Sequence, residues 1–478
     1  MGNSPLTASI HILDDDSLLH VFYIYQPFLL GEDEDINVRL YGGKGTWVRG
    51  RWWYKLAHVC QRWRNVVLGS ASYLGLSLVC THGTPVADML THSPPLPLVI
   101  DYNHKYRNVT TEDEEGLILA LKQRDRVRRV RLWMPVTCLQ KFVVAMDEEY
   151  PILEYLVIAL PNEDDRTILK FPETLQAPHL HHLMLRGFAL PIGSPLLMTA
   201  VGLVTLYLVM VHPSTYFHPY TLLQWTSLMP QLETLTIYFT FSISNREVER
   251  QLIHGPILAP ITLPNLRHFQ FHGVSTYLEA LVHRVTTPRL KILRIDFFNQ
   301  VTFHVPRLLE LMNTAENLRF DSARFSFFKK QVEAVVYPHG EAEMFALGVA
   351  VFCWHLDWQV TSMAQISDSL GQIFSAVEHL TLVHKVHTRS SEQHNEVDLI
   401  EWHKLLRPFS NVKTLRIAKG LVEDLSRCLQ LEDGELPSEL LPELQMLTYY
   451  GGADTDNAFI SFENARRDAG RPVTLVRS

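Results

Sequence analysis

Residues 232–237 read LETLTI, and this six-residue pattern decides the fold that we predict for the chain. Apolar anchors occupy its first, fourth and sixth positions. The last two anchors lie two residues apart, so they share one face of a β-strand, and the first anchor fills the bend that leads into the strand. A strand with one apolar face must bury that face against other elements of the fold.

The same pattern returns in ten further segments from about residue 125 onward. Successive first anchors lie 23 to 35 residues apart, except for one gap of 62 residues in which residues 345–351 (FALGVAV) can supply an extra unit. This period lies in or just above the range of leucine-rich repeats. The eleven sets of anchors are Val127-Val130-Leu132, Leu153-Leu156-Ile158, Leu180-Leu183-Leu185, Leu203-Leu206-Leu208, Leu232-Leu235-Ile237, Leu266-Phe269-Phe271, Leu290-Leu293-Ile295, Ala315-Leu318-Phe320, Val377-Leu380-Leu382, Val412-Leu415-Ile417 and Leu444-Leu447-Tyr449.

The segments between these strands are long enough for a return helix, and a strand, a crossover and an equivalent strand give parallel strands in a right-handed coil. The asparagine or cysteine step that regular repeats place after the anchors is absent, which indicates an uneven arc. We therefore predict an α/β fold in which an irregular leucine-rich-repeat solenoid with a curved parallel sheet spans residues 71–478. Residues 472–476 are predicted to form a final strand that caps the last repeat. Helices are predicted at residues 111–124, 140–150, 276–285, 305–313 and 400–406.

Composition excludes several classes of protein. Of 478 residues, 47% are hydrophobic and 20% are charged, which is not the composition of a disordered chain. The net charge of −8 argues against a protein whose whole surface binds nucleic acid. The basic run at residues 122–131 contains the repeat anchors Val127 and Val130, so its arginines are expected to alternate outward, where the acidic residues 112–115 can pair with them. We predict no nucleic-acid partner.

Residues 196–211 are the best candidate for a membrane span, but a spanning helix needs about 20 apolar residues. Pro195 and Pro213 bound this run, and one repeat strand with its approach explains it better. The first 16 residues show no secretory signal. These patterns predict no membrane partner and an intracellular protein, cytoplasmic or nuclear.

Motifs for catalysis or metal binding are absent from the sequence. The five cysteines are scattered without a C-x-x-C pair, and His179, His181 and His182 have no further ligand at metal-binding spacing. No phosphate-binding loop or nucleophile elbow is present. We predict no cofactor, no metal and no catalytic activity.

Alternation along a strand predicts that half of the strand phenylalanines are core and that the others line the opposite face, where they can contact a peptide. These are Phe239, Phe241, Phe269, Phe271, Phe297, Phe298, Phe325, Phe327 and Phe328.

Residues 8–70 do not fit the repeat and are predicted to form a small helical module. Three aspartates and Ser17 supply caps for a first helix, and a Gly-rich acidic loop spans residues 27–51. A second helix carries apolar residues at helical spacing, ending at Val66 or Val67. Helices this short bury little apolar surface alone, so they either dock on the repeats or present apolar side chains to another protein.

The module resembles an F-box. Residues 52–67 (WWYKLAHVCQRWRNVV) are similar to its second half, and residues 13–22 (LDDDSLLHVF) are similar to its first half. The family's proline is replaced by Asp14, and the loop between the halves is longer than in the family. With residues 76–102, the degenerate repeats and residues 465–476 (ARRDAGRPVTLV), nearly the whole chain resembles F-box-like proteins of mushroom-forming fungi.

This resemblance implies a substrate-recognition adaptor of a Skp–cullin–F-box ubiquitin ligase. F-box helices bind the Skp-type adaptor, the repeats hold an unidentified protein substrate, and other subunits transfer the ubiquitin. An alternative is a repeat scaffold in which the helices only cap the solenoid, with Leu18, Phe22, Val59 and Trp63 buried against residues 76–100. The resemblance places adaptor contacts at Leu13, Leu18, Val21, Phe22, Leu56, Val59, Trp63 and Val66.

Overall fold

A computed structural model shows an α/β chain that forms two compact units, Met1–Gly202 and Leu203–Ser478. Both units combine helices with mostly parallel strands, as the repeat pattern predicts. The predicted boundary at residue 70 stays a prediction. The described residues are 13–26, 51–103, 108–161, 169–191, 193–211, 217–240, 259–298, 302–314, 320–338, 346–385, 398–430, 440–450 and 457–477.

The first unit opens with three helices and continues with alternating strands and helices. Because the loop predicted at residues 27–51 falls almost wholly outside the described residues, only its last residue, Arg51, is seen. The elements are α1 (Asp15–Tyr25), α2 (Trp52–Ala57), α3 (Gln61–Gly69), β1 (Leu78–Cys80), α4 (Val86–His92), β2 (Leu98–Asn103), α5 (Thr111–Leu121), β3 (Val127–Trp133), α6 (Val136–Ala145), β4 (Tyr155–Ala159), β5 (Leu169–Lys170), β6 (His182–Arg186), β7 (Phe188–Ala189) and α7 (Pro195–Thr199).

The sheet of the first unit has the order β1-β2-β3-β4-β6, and every pair in it is parallel. The predicted anchors lie side by side in its register, with Val130 opposite Leu156 and Leu156 opposite Leu183. All three side chains are buried. The six-residue spacing therefore identifies both the strands and the apolar row that joins them.

The second unit repeats this alternation of strands and helices. Its elements are β8 (Thr205–Val211), α8 (Pro219–Ser227), β9 (Thr234–Phe239), β10 (Ile261–Thr262), β11 (His268–Gly273), α9 (Ser275–Val282), β12 (Val285–Thr286), β13 (Ile292–Phe297), α10 (Pro306–Thr314), β14 (Ser322–Phe327), β15 (Val332–Tyr337), β16 (Leu347–Val351), α11 (Leu356–Ser369), α12 (Gly371–Phe374), β17 (His379–His384), α13 (Leu399–Leu406), β18 (Thr414–Ile417), α14 (Val422–Cys428), β19 (Met446–Tyr449), α15 (Ile460–Asp468) and β20 (Thr474–Arg477).

In the second unit the main sheet has the order β8-β9-β11-β13-β16-β15-β14-β17-β18-β19-β20. Leu235 lies opposite Phe269 and Phe269 opposite Leu293, so the apolar row continues through β9, β11 and β13. The entry anchors Leu232 and Leu266 are buried in the bends before their strands, as expected. The final strand β20 pairs with β19 at the sheet's edge.

One part of this sheet corrects the prediction of a parallel sheet. Strand β15 runs antiparallel to both of its neighbours, β14 and β16. The extra unit expected at residues 345–351 exists as β16, which pairs with β13. The anchors Ala315 and Leu318 lie outside the described residues, and Phe320 precedes the strand, which begins only at Ser322. The two strands of a hairpin form backbone hydrogen bonds with each other across a short turn. Their apolar residues therefore need not keep the spacing of the parallel repeats.

The structure also corrects the expectation for the phenylalanines. Phe269 and Phe271 lie two residues apart on one strand and both face the core, and other strands show the same arrangement. Phe298 and Phe328 are half-buried one residue beyond their strands, and Phe241 lies outside the described residues. More than half of the nine are therefore core, since their spacing keeps them on one face. The six buried ones are Phe239, Phe269, Phe271, Phe297, Phe325 and Phe327.

The five predicted helices are present with bounds shifted by up to five residues, as α5, α6, α9, α10 and α13. The membrane candidate at residues 196–211 consists of most of the five-residue helix α7 followed by strand β8. Across the described residues, no helix combines the length and apolar character that a membrane crossing requires.

Candidate functional site

The first helix of the N-terminal module is capped by the residue that departs from the F-box pattern. Asp14 precedes α1, and its carboxylate accepts a hydrogen bond from the Ser17 backbone N–H at 2.7 Å. This hydrogen bond lowers the pKa of Asp14. An aspartate cap satisfies a free N–H at the helix start, which a proline does not do, so the substitution is compatible with the helix.

Leu18 and Phe22 lie one helical turn apart on α1, and both are buried. The Phe22 ring meets the Trp63 ring of α3 edge to face, with 4.9 Å between centroids. Arg62 joins the same helices from outside, because its guanidinium contacts the Asp15 carboxylate at 2.8 Å. These contacts make α1 and α3 a packed pair with its own small core.

The module is also fixed to the first strand of the sheet and to the segment that leads into it. The Trp53 indole N–H donates to the Ser77 carbonyl at 3.1 Å, and the Gln26 amide donates to the Leu74 carbonyl at 3.3 Å. The Arg51 guanidinium donates to the Val79 carbonyl at 3.2 Å. Trp53 was not among the predicted contact residues, although a buried indole N–H needs such an acceptor and therefore indicates an attachment point.

A set of large apolar side chains on the module stays exposed. On α1, Val21 and Tyr25 border the buried Leu18 and Phe22, and Ile24 lies farther round the helix, away from them. Ile24 is 66% exposed and Val59, between α2 and α3, is 57% exposed. Single exposed apolar residues are ordinary, but four on one short helix, with Tyr23 as the fourth, are typical of a surface that another protein covers. We call Leu13, Val21, Ile24, Tyr25 and Val59 the exposed set.

The eight predicted contact residues divide into three groups. Leu18, Phe22 and Leu56 are buried within the unit, while Trp63 and Val66 are half-buried. Leu13, Val21 and Val59 are exposed. The face on which the cap alternative depends is therefore split, because its Leu18 and Phe22 are covered and its Val59 is not. Only the three exposed residues are free to contact a partner without rearrangement.

The basic run at residues 122–131 is largely neutralised. Arg131 forms two hydrogen bonds with the Asp101 carboxylate, at 2.7 and 2.8 Å, and Arg128 binds Glu154 at 2.8 Å. The acidic residues 112–115 were expected as partners, but in the structure Glu114 binds Lys141 of α6. Strand neighbours supply carboxylates directly opposite the arginines, which is why the helix residues are not needed.

The histidine-rich segment has a packing role. The His182 ring stacks on the Tyr155 ring of the neighbouring strand, with 4.4 Å between centroids. Within the described ranges, no group of three His, Cys, Asp or Glu residues is arranged to hold a metal ion. The five cysteines are free thiols, and burial raises the pKa of Cys80, Cys353 and Cys428 to about 12. Thiols with pKa values this high are poor nucleophiles at neutral pH.

Comparisons with known proteins give no family for the chain: no protein-family model matches it, and no curated protein matches it significantly.

Proposed function

We propose that the chain is a non-catalytic substrate-recognition adaptor of a Skp–cullin–F-box ubiquitin ligase. The N-terminal module binds the Skp-type adaptor, and the strand–helix repeats bind a protein substrate. The observation that carries the proposal is the exposed set on a packed pair of helices whose residues 13–22 and 52–67 resemble the two halves of an F-box.

The packing supports this function because it separates a stable core from an available surface. Leu18, Phe22 and Trp63 hold the helices together, so Val21 and Val59 can contact a partner while the module keeps its fold. Apolar side chains held on rigid elements lose little conformational freedom on binding, which favours affinity.

The alternative is a repeat scaffold in which the module only caps the sheet. Its support is the attachment to the first strand, through Trp53 to Ser77 and Arg51 to Val79. This attachment is compatible with both functions, since a module can be fixed on one side and bind a partner on the other. Retention of the Skp-type adaptor by the intact chain separates them.

The test is co-expression of the intact chain with a Skp-type adaptor, followed by affinity capture and co-elution in size exclusion. We expect the wild type to retain the adaptor and the double variant Val21→Asp/Val59→Asp to lose it, because two carboxylates would be buried without partners. The matched control is Val144→Asp, an exposed helical valine on α6 outside the module. It should retain the adaptor.

Loss of the adaptor by the double variant supports the proposal only if the circular dichroism spectrum and thermal transition of the variant match those of the wild type. Both valines are exposed, so substitution should leave folding unaffected. If the wild type retains no adaptor, the ligase assignment is wrong and the scaffold alternative stands.

A further inference from the structure

The second unit brings aromatic and cationic side chains together where three strands end. Strands β14, β16 and β17 point the same way in the sheet, with β15 running against them. Phe328, Phe352 and Lys385 are the first residues after these strands, and the sheet therefore delivers them to one edge. The strand-end surface consists of Phe328, Lys329, Lys330, Trp354, Trp358 and Lys385.

This surface is held in place by a buried amide. The Gln359 side chain, 2% exposed, donates from Nε2 to the Phe328 carbonyl at 2.8 Å and to the Cys353 carbonyl at 2.9 Å. It thereby joins the turn after β14 to the segment after β16. The Lys385 N–H donates to the Phe327 carbonyl at 2.9 Å, which fixes the third segment. The surface is pre-organised, so binding needs little ordering of the backbone.

Two lysines of this surface lie over aromatic rings, and both of its tryptophans are open to solvent. Trp354 is 51% exposed and Trp358 is 52% exposed, an unusual state for two tryptophans that lie so close in sequence. The Lys330 ammonium lies 4.6 Å from the Trp354 ring centroid, and the Lys385 ammonium lies 5.0 Å from that of Phe328. Cation–π contacts of this kind position an ammonium group without using its hydrogen-bond donors.

The charge of the surface fits an acidic occupant. Over the described part of the chain, Lys329, Lys330 and Lys385 form no ion pair with a carboxylate, and Asp357 of the nearby α11 is half-buried. Among the described residues nearby, the carboxylates are those of Asp357 and Glu333, and Arg294 pairs with Glu333. The three exposed ammonium groups outnumber them and make a local positive site on a chain whose net charge is −8. Complementary charge steers association and excludes basic partners.

The same contacts favour protein over nucleic acid. Single-stranded nucleic acid binds aromatic platforms by stacking its bases on open ring faces. Here Lys330 covers one face of the Trp354 ring, and Lys385 covers one face of the Phe328 ring. The ring surface that the lysines do not cover can pack against apolar side chains of a protein, while carboxylates of the same protein contact the ammonium groups.

We propose that the strand-end surface binds an acidic protein segment whose carboxylates lie beside apolar or aromatic side chains. This deepens the proposed function, on which the identification of that segment as part of a substrate rests. The binding itself requires no adaptor.

The test is selection of a random peptide display library on the intact chain. We expect the enriched peptides to combine Asp or Glu with Leu, Phe or Trp. A synthetic copy of the most enriched peptide is then titrated by fluorescence anisotropy. The double variant Lys330→Glu/Lys385→Glu should weaken the binding of this peptide about tenfold or more, since the attraction between its carboxylates and the lysines becomes repulsion. Trp354→Ala should weaken it about fivefold through lost contact area.

The matched control is Lys291→Glu, an exposed lysine before β13 that lies at the opposite end of the strands. It should leave the peptide affinity unchanged. Enrichment without acidic bias, no enrichment, or equal affinity after charge reversal would overturn the proposal. Displacement of the peptide by polyuridylate that itself binds more tightly would assign the surface to nucleic acid and also overturn it. Val21→Asp/Val59→Asp should bind the peptide normally, so failure of the adaptor assay is distinguishable.

Discussion

The exposed set of the N-terminal module and the strand-end surface of the second unit show two ways of keeping apolar groups in water. On the module, Val21 and Ile24 extend from a helix that buries Leu18 and Phe22, and all five members of the set are apolar or aromatic. At the strand ends, the tryptophans are interleaved with lysines, and Gln359 fixes the backbone beneath them. An uncharged surface suits a constant partner, whereas a charged one selects among partners.

The largest expected effect concerns the core beneath the module. Phe22→Ala removes a buried ring that packs on Trp63, and we expect it to destabilise the packed helices by about 3 kcal/mol. Hydrogen exchange of the α1 and α3 amides measures this loss. The Phe22→Ala variant should also fail to retain the Skp-type adaptor, although Phe22 itself need not contact the adaptor.

Ile24→Ala is the control for that experiment, because Ile24 is exposed on the same helix and lies away from Leu18 and Phe22. Its effect on exchange should stay below about 0.5 kcal/mol. Equal protection losses in the two variants would contradict the division of α1 into a core side and an open side.

A smaller effect is expected at the strand ends. Gln359→Leu leaves the Phe328 and Cys353 carbonyls without their donor, which should cost about 2 kcal/mol in urea unfolding of the second unit. Peptide affinity should fall with it, since the two segments are no longer joined. Gln372→Leu, an exposed glutamine on α12, should change neither quantity. A stable Gln359→Leu variant with full affinity would show that the amide does not organise the surface.

The third effect is a pH dependence of stability at the buried His272 of β11. His272 is 3% exposed and stacks on the Phe352 ring at 5.2 Å, and burial, with a smaller repulsion from Arg294, lowers the pKa of His272 to about 4. The unfolded chain therefore binds more protons than the folded one between pH 6.5 and pH 4, so stability falls as the pH drops through that window. From pH 7 to pH 5 the loss should be about 2 kcal/mol.

The control for this pH effect is His272→Phe, which keeps an aromatic ring and removes the titration. Its unfolding free energy should decrease less between pH 7 and pH 5 than that of the wild type. Arg294 and Asp296 on the neighbouring β13, and Glu333 on β15, are common to both chains, so their contributions cancel in the difference. Identical pH profiles would show that His272 does not titrate in this window.

Much of the fold was predictable because its signal is local. Anchors such as Leu235 and Ile237 specify a strand and its buried face within six residues, and the structure places them beside Phe269 and Phe271 as predicted. The antiparallel strand β15 was not predicted, because the spacing of the anchors indicates a strand and its buried face but not the direction in which it runs. The pairing of β13 with β16, and not with β14, was not predicted either. Local spacing contains no information on which strand becomes the neighbour.

The candidate sites were predictable only in part, for a related reason. Helical spacing identified Leu18, Val21 and Phe22 together, yet Leu18 and Phe22 are core while Val21 is exposed. A helix with apolar residues on two sides does not show by itself which side its own unit covers. Trp354 and Lys330 come from different segments, so the sheet order was needed to bring them together.

The reversed strand β15 has a consequence for how this sheet can change in length. Strand β16 runs parallel to β13, and β14 runs parallel to β17. If β14 and β15 were absent, β13, β16 and β17 would follow one another as ordinary parallel repeats. The hairpin is thus an addition of two strands, after which the next repeat strand again runs parallel to the earlier ones. A single added strand would leave the next repeat strand antiparallel to them. At this place the sheet can gain or lose strands in pairs, while elsewhere it can do so one repeat at a time.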